Sequence, residues 1–315
     1  MRYSGIGGQA VMEGIMMHNQ DKYAVAVRKS DKTIDVQVFD YKGLNKNIKN
    51  LPIIRGMISF VDSLYLGMTT LMHSASFFED EDELKKKKEK RKGLNEAQIK
   101  ELDEKEKKTE DAMMVVTVIV SILITIGMFF VLPYLISMFF QKFIQSTFLI
   151  TLLEGVVRLS IFIAYIGLIS FMPEIKRTFM YHGAEHKCIN CIEQGLELNI
   201  ENVKKSSKQH KRCGTSFLLI VMIISVVFFM FIQVDSRILR LVVRLVLIPV
   251  IAGVSYEFIR IAGKYDNAFI NLISAPGLLM QRLTTKEPDD DMIEVGIASV
   301  EAVFDWKKWQ EEEKE

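Results

Sequence analysis

The stretch that decides the fold runs from Ala112 to Phe140 and reads AMMVVTVIVSILITIGMFFVLPYLISMFF. It holds no charged residue, and it is longer than the roughly 20 apolar residues with which an α-helix crosses a bilayer. Gly214–Val234 is a second apolar stretch without charge, and Phe148–Pro173 and Arg237–Tyr256 are apolar apart from a few charged residues. Together the four stretches predict a mainly α-helical integral membrane protein with four spans.

The overall composition agrees with a chain divided into apolar and polar blocks. Of its 315 residues, 49% are hydrophobic and yet 25% are charged, which requires that the two kinds be segregated. The 40 Lys and Arg residues balance 39 Asp and Glu residues, which excludes a generally basic nucleic-acid-binding protein. Three cysteines are too few for a disulfide framework. We therefore expect membrane lipid as a partner and no nucleic acid.

The basic residues predict the orientation of the spans, because short loops rich in Lys and Arg stay in the cytoplasm. The connection after the first span holds one lysine, Lys142, and the one between the last two spans holds Arg237. The basic residues of segment 174–213 are Lys176, Arg177, Lys187, Lys204, Lys205, Lys208, Lys211 and Arg212. We predict a multi-pass protein of the cell membrane in which this segment and both termini are cytoplasmic. Its cysteines would stay reduced there, which favours metal binding over disulfides.

The chain divides into six predicted segments. They are a cytoplasmic N-terminal region (1–78), a charged linker (79–111), spans 1 and 2 (112–173), a cytoplasmic metal-binding segment (174–213), spans 3 and 4 (214–258) and a C-terminal region with cytoplasmic helices (259–315). The linker begins EDEDE, continues KKKKEKRK and has almost nothing to bury, so we expect it to be solvated and partly helical.

The N-terminal region is predicted to hold a small β-hairpin and a helix. Apolar and polar residues alternate in Tyr23–Arg28 and Ile34–Phe39, which indicates two paired strands. The pair Gly7-Gly8 is interpreted as a flexible turn next to a ligand or as a tight turn before a helix. Leu51–Phe78 has helical apolar spacing, but its internal charges make it a poor span. It is expected to lie at the membrane interface or against the helical bundle.

The strongest chemical signal is the sequence MYHGAEHKCINC. His182 and His186 are four residues apart and share one face of a helix, with Glu185 beside them. This is the order H-x-x-E-H, in which two imidazoles hold zinc and the glutamate acts as general base. Further on, HKRCGTS places His210 and Cys213 three residues apart, a spacing that lets both bind one tetrahedral ion.

The number of ligands decides what such a zinc site does. All four ligands together would close the site and make it structural, whereas three would leave a position for chemistry with Glu185 as the base. The sequence leaves both alternatives open. Glu193 lies on the histidine face and is a reserve ligand, while Cys188 and Cys191 point to the opposite side and are expected to pack.

Charged residues inside the predicted spans are a second candidate site. Glu154 and Arg158 are four apart on span 2, and Arg240 and Arg244 lie at a similar depth on span 4. We expect Glu154 to pair with Arg158 and Arg244 inside the bundle, because intramembrane charge is costly without a partner. The set is either an interhelical brace with snorkelling arginines or a polar cavity for an anionic substrate or lipid headgroup.

Several motifs in order resemble the YqhQ-like family of bacterial membrane proteins, whose function is unknown and which are often labelled metal-dependent enzymes. The matching stretches are GGQAVMEGIMM (Gly7–Met17), PIIRG (Pro52–Gly56), YHGAEHK (Tyr181–Lys187), RCGTSF (Arg212–Phe217), SYE (Ser255–Glu257) and APGLLMQRLTTKEPDDDMIEV (Ala275–Val295). The resemblance covers nearly the whole chain and implies His182, His186, His210 and Cys213 as the metal set with Glu185 beside it. It also draws attention to Gln9, Glu13, Glu257 and Glu287, but it supplies no substrate.

Three functions remain open on the sequence alone. A closed zinc site would suit a scaffold that docks an unidentified protein partner at the inner face of the membrane. An open site would suit a membrane-embedded zinc hydrolase that acts on a peptide or lipid. Transport of a small solute or lipid is the third hypothesis, for which four spans are few unless a homodimer completes the pathway.

Overall fold

The computed structural model describes residues 3–41, 43, 51–78, 95–232, 234, 236–264 and 267–312. Most of these residues are helical, four helices are long and apolar enough to cross a membrane, and one small sheet lies near the N-terminus. The predicted fold class is therefore confirmed.

The N-terminal sheet has four antiparallel strands in chain order: β1 (Gly7–Val11), β2 (Gly14–Asn19), β3 (Lys22–Arg28) and β4 (Ile34–Asp40). The predicted hairpin is confirmed as β3 and β4, with Val25 opposite Gln37 and Arg28 opposite Ile34. The sheet is larger than predicted, because Gly7-Gly8 begins β1 rather than forming a turn before a helix. A Cβ atom at Gly8 would lie 2.8 Å from the Glu185 side chain and 2.8 Å from the Met16 carbonyl, so this strand position needs glycine.

Eleven helices follow the sheet within the described part of the chain. They are α1 (Ile54–Ala75), α2 (Glu96–Ile126), α3 (Leu132–Phe140), α4 (Thr147–Ile169), α5 (Pro173–Glu193), α6 (Ile200–Lys205), α7 (Gly214–Phe231), α8 (Arg237–Lys264), α9 (Ala268–Thr284), α10 (Asp290–Glu301) and α11 (Trp306–Glu311). A 3₁₀ turn (Ser76–Phe78) extends α1, and a π-helical segment (Gly127–Val131) joins α2 to α3.

The charged linker is only partly within the described residues, since positions 79–94 lie outside them. From Glu96 onward its residues form the first turns of α2, which continues into the first span without a break. The helix begins there because Asn95 and Gln98 form a capping box: each side chain accepts a hydrogen bond from the other residue's backbone N–H.

The chain folds as two units, Met1–Phe77 with Ile163–Glu315 and Phe78–Phe162. In the first unit, the sheet, α5 and α10 pack around one hydrophobic core that contains Ile15, Met17, Tyr181, Ile189 and Ile293. In the same unit α1 packs on α8, and α7 packs on both α8 and α9. The candidate spans α7 and α8 are thus joined through α1 and α9 to the polar part of the chain.

Candidate metal centre

Helix α5 carries three of the predicted site residues on one face. It begins at Pro173, where the missing N–H costs nothing, and runs through the H-x-x-E-H sequence to Glu193. Its second half is almost completely buried by the sheet and α10. The spacing of four therefore places the rings of His182 and His186 4.4 Å apart in the interior of the first unit.

Cys213 completes a group of three metal-ligating side chains with His182 and His186. One ligand atom from each lies within 4.8 Å of the other two, and no other such group of three or more His, Cys, Asp and Glu occurs among the described residues. Cys213 is the N-cap of α7, so this ligand stands at the end of a candidate membrane span.

Both histidines are oriented by backbone carbonyl groups. Nδ1 of His182 donates to the Thr284 carbonyl at 2.9 Å, and Nδ1 of His186 donates to the Lys208 carbonyl at 2.7 Å. These bonds orient both rings so that Nε2, rather than Nδ1, is the candidate metal-binding atom, as in most histidine metal sites. Nε2 of His182 lies 3.2 Å from the Cys213 sulfur.

The electrostatics of the group favour a thiolate at Cys213. Burial alone would raise the pKa of Cys213, but the imidazoles of His182 and His186 hold it well below its usual range. Burial likewise opposes a charge on His182, yet Cys213 and Glu185 raise the pKa of its ring to about 9. The thiolate is the form of cysteine that can bind a metal ion.

Glu185 stands beside the group without belonging to it. Its Oε2 lies 3.9 Å from Nε2 of His182, and its side chain is 6% exposed. The backbone of Gly8 in β1 covers its aliphatic part.

His210 lies outside the three-residue group. Its ring centre is 5.7 Å from that of His186, and its Nε2 accepts a hydrogen bond from Arg212 at 3.2 Å. Glu193, the predicted reserve ligand, also points to this place: its Oε2 is 3.6 Å from His210 Nε2, and its Oε1 accepts from the N–H and the hydroxyl of Ser4. Both residues therefore belong to a polar network next to the metal group.

The network changes the acidity of Glu193. Burial opposes its charge, but the neighbouring His210 ring, the hydrogen bond from the Ser4 N–H and the charge of Arg212 outweigh the burial and lower the pKa of Glu193 to about 2. Cys188 and Cys191 are free thiols that point into the core of the first unit.

The four residues singled out by the family resemblance lie outside the metal group. Gln9 donates to the Gly67 carbonyl of α1 at 3.5 Å, and Glu257 pairs with Arg55 through both oxygens. Glu287 lies 3.1 Å from the amines of Lys187 and Lys208.

Glu13 holds the β1–β2 turn against α5. Its two oxygens accept from Arg177 at 2.5 Å each, and one also accepts from the Tyr181 hydroxyl at 3.3 Å.

Sequence reasoning missed Arg177, Tyr181 and the two carbonyl groups that orient the histidines. A backbone carbonyl leaves no signal in a sequence, whereas Arg177 could have been suspected from its place one turn before the histidine motif.

The predicted intramembrane pair of Glu154 and Arg158 is formed, and Arg240 and Arg244 contact other groups. In the second unit Arg158 donates to Glu154 at 2.8 Å and to the Phe129 carbonyl at 2.8 Å, and all three residues are buried. In the first unit Arg240 donates to the Val234 carbonyl, and the Arg244 guanidinium lies 5.1 Å from the ring centre of Phe229. A contact of Glu154 with Arg244 would join the two units and stays a prediction.

Comparison with known proteins gives a family. The profile of the family described as "Protein of unknown function (DUF1385)" matches residues 51–306. "Uncharacterized protein YqhQ" from Bacillus subtilis (strain 168) is 33% identical over 300 residues, which are 93% of this chain and 90% of that protein. No solved structure matches the chain. The resemblance that the motifs indicated is thus confirmed, and the chain belongs to the DUF1385 family.

Proposed function

We propose that this membrane protein is a zinc-dependent hydrolase whose metal site faces the cytoplasm. The observation that carries the proposal is the convergence of His182, His186 and Cys213 on one point with Glu185 beside them. Three protein ligands and a nearby carboxylate are the arrangement of catalytic zinc sites, whereas structural sites have four ligands.

The donor set suits zinc better than other common metals. Two imidazoles and one thiolate are soft or intermediate ligands, which Mg²⁺ and Ca²⁺ avoid and Zn²⁺ accepts. A zinc ion held there would supply Lewis-acid chemistry, polarising a carbonyl or phosphoryl oxygen and making a water molecule more acidic. The carbonyls of Thr284 and Lys208 would keep the two imidazoles in place during the reaction.

Glu185 is proposed as the general base and then the general acid. Its buried carboxylate would take a proton from the attacking water and return it to the leaving group of the substrate. The surroundings keep the carboxylate out of bulk water, because Gly8 of β1 lies directly against it. A peptide or a lipid at the membrane surface is the proposed substrate.

A scaffold that docks a protein partner is the second candidate, and the position of His210 is the observation in its favour. Its ring lies close enough to His186 that a side-chain rotation could bring a fourth ligand to the metal and close the site. Against this stand the contacts of His210 with Arg212 and Glu193, which hold the ring in its present place.

Cobalt substitution separates the two candidates. Purified protein is loaded with Co²⁺, and its visible spectrum is recorded during a titration with azide. An open site binds azide and its bands shift, and the sulfur-to-metal charge-transfer band disappears in Cys213→Ser. His210→Ala should leave both the spectrum and the azide response unchanged. A visible spectrum that does not change with azide until His210 is replaced would support the scaffold and contradict the hydrolase.

Hydrolysis is then tested directly with chromogenic ester, phosphodiester and peptide substrates. Glu185→Gln should retain zinc and lose about 10²- to 10⁴-fold in rate, the range for removal of a general base. The matched control is Glu201→Gln, an exposed change on α6 that should keep full activity. Equal rates in the wild type and Glu185→Gln would remove the proposed role of Glu185.

A further inference from the structure

Helix α9 has an inverted distribution of polar and apolar residues. Its exposed side carries Ala268, Leu272, Pro276 and Leu279, with Leu272 72% and Leu279 55% exposed. Its buried side includes Ser274, Gln281 and Thr284 beside Ile270 and Met280, while Asn271 is exposed next to Leu272. A helix at the surface of a water-soluble protein has the opposite arrangement, with the apolar stripe inside and the polar residues outside.

Two of the buried polar residues of α9, Gln281 and Thr284, form hydrogen bonds inside the protein. Gln281 is fully buried; it accepts from the N–H of His210 and donates to the His210 carbonyl and to the Ser216 hydroxyl. The carbonyl of Thr284, at the end of the helix, orients His182. The polar side of α9 therefore holds residues of the candidate metal centre in place, and its apolar side faces away from the protein interior.

Helix α1 shows the same inversion. Its buried residues are Gly56, Gly67, Thr70 and Ser74. Its exposed side carries Val61, Leu64, Tyr65, Met68, Leu71 and Met72, each more than 40% exposed. The helix also approaches the metal group, because Gly67 accepts a hydrogen bond from Gln9, the residue after the glycine that covers Glu185.

Both helices lie directly on candidate membrane spans. A Cβ atom at Gly56 of α1 would meet Gly253 of α8 at 2.8 Å, and one at Gly277 of α9 would meet Ser216 of α7 at 2.8 Å. The outer surfaces of α7 and α8 belong in lipid, since each is apolar over the length of a bilayer. An apolar face on a helix that touches such a span meets the same surroundings, and in water it would be an aggregation liability.

We infer that α1 and α9 lie in the membrane leaflet next to the metal centre, with their exposed apolar faces on the acyl chains of phospholipids. Neither helix is a candidate span: α9 has 17 residues, about 25 Å, and α1 contains Arg55 and Asp62. Arg282, exposed at the end of α9, stands where a basic side chain would reach the lipid headgroups.

The surface can be tested by fluorescence quenching in vesicles. The variants Leu64→Trp, Leu272→Trp and Leu279→Trp are reconstituted into phosphatidylcholine vesicles, with or without bromine on the acyl chains. Bromine quenches only indoles that lie among the chains. The control is Glu201→Trp, on an exposed and strongly polar part of the first unit. The native Trp306 and Trp309 provide the background in every sample.

We expect the brominated lipid to reduce the added emission of the three Leu variants about twofold or more and that of the control hardly at all. Thermal unfolding and zinc content of each variant show whether it is folded, and substitution at an exposed position should change neither. Quenching no greater than in Glu201→Trp would overturn the inference for that helix and would mean that protein covers the face. The quenching measures only contact with lipid, so its outcome does not depend on whether the protein is a hydrolase.

Discussion

At the scale of single residues, the metal centre and its neighbouring network use the same residue types for different purposes. His182 and His186 give Nδ1 to a carbonyl group and present Nε2 to the metal position. His210 instead meets Arg212 and Glu193, a charge pair that holds its ring. A ring nitrogen that donates to a carbonyl leaves the other nitrogen as the candidate ligand, whereas the Nε2 of His210 is already engaged by Arg212 and Glu193.

Glu193 should make the protein sensitive to acid. Its pKa is about 2 in the folded state against 4.5 in the unfolded state, so its contribution to stability is complete above pH 4.5 and is lost as the pH falls towards 2. We expect Glu193→Gln to unfold at a lower temperature than the wild type at pH 7, with the difference shrinking between pH 5 and pH 3.

Thermal unfolding of detergent-purified protein at several pH values measures this effect. Glu201→Gln is the matched control, because that carboxylate pairs with Lys205 at an exposed position where ion pairs contribute little. A difference between wild type and Glu193→Gln that is the same at pH 7 and pH 3 would show that the charge of Glu193 is not what stabilises the network.

Some residues of the site were predictable because their pattern is local. The spacing of His182 and His186 fixes one helix face, and the short sequence around Cys213 marks a ligand. The place of His210 was not predictable in the same way. Whether it faces the metal depends on Gln281, which binds its backbone from 71 residues away.

At the scale of elements, close packing of α5 against the segment after α9 sets the metal site. A Cβ atom at Gly183 would lie 2.0 Å from the Lys286 carbonyl, and the Lys286 N–H donates to the Phe179 carbonyl of the same helix. We expect Gly183→Ala to push this segment away, with a loss of about 1–3 kcal/mol in stability. The Thr284 carbonyl would move with it, so zinc affinity should fall about tenfold.

The same substitution at Gly167 provides the comparison. That glycine is also inside a helix, α4, and a Cβ atom there would meet nothing within 4 Å. Gly167→Ala should therefore leave stability unchanged or slightly higher, since alanine is the better helix former. Thermal unfolding and zinc titration of both variants decide the matter, and equal behaviour would refute the packing argument.

The π-helical segment of the first span is explained by Pro133. Proline has no N–H to give to the carbonyl of Phe129, four residues earlier, and its ring crowds that carbonyl. Arg158 Nε donates to the Phe129 carbonyl, so a side chain of the next span supplies a bond that proline cannot. Span 2 is thereby tied to the irregular part of span 1.

Arg158→Lys should weaken this tie while keeping a charge for Glu154. We expect a loss of about 1 kcal/mol, the usual size of a hydrogen bond inside a membrane protein. In a Pro133→Ala background the loss should be smaller, because the substituted alanine has an N–H that can donate to the Phe129 carbonyl. Unfolding of the four proteins in mixed detergent micelles gives the double-mutant cycle. Purely additive losses would mean that the bend and Arg158 are unrelated.

The sheet shows what a sequence pattern misses at this scale. Strands β3 and β4 alternate between apolar and polar residues, so they were predictable. Strand β1 begins with two glycines, which show no alternation of apolar and polar residues. Strand β2 is buried at its first four positions, so its sequence does not alternate either. These strands are stabilised by contacts with α5 and α10, which are distant in sequence and cannot be predicted from local patterns.

At the scale of the whole molecule, the number of candidate spans and the chemistry of the candidate metal site both bear on the orientation of the chain in the membrane. The described residues contain four candidate spans, and if all four cross the membrane, both termini are expected on one side together with segment 174–213. The basic residues of that segment predict the cytoplasmic side. If Cys213 binds a metal as a thiolate, it would also favour the cytoplasmic side, because an oxidising compartment would convert a thiolate to a disulfide or a sulfenic acid.

The orientation can be measured with reporter fusions at two positions. Alkaline phosphatase fused after Ser146, in the loop between spans 1 and 2, should be active, because that enzyme needs an oxidising compartment to form its disulfides. Green fluorescent protein fused after Gln209 or at the C-terminus should fluoresce, and phosphatase at those positions should be inactive. The reverse pattern at all positions would place the metal group outside the cytoplasm. A thiolate ligand would then need constant protection by bound metal, and removal of zinc by a chelator would expose Cys213 to oxidation.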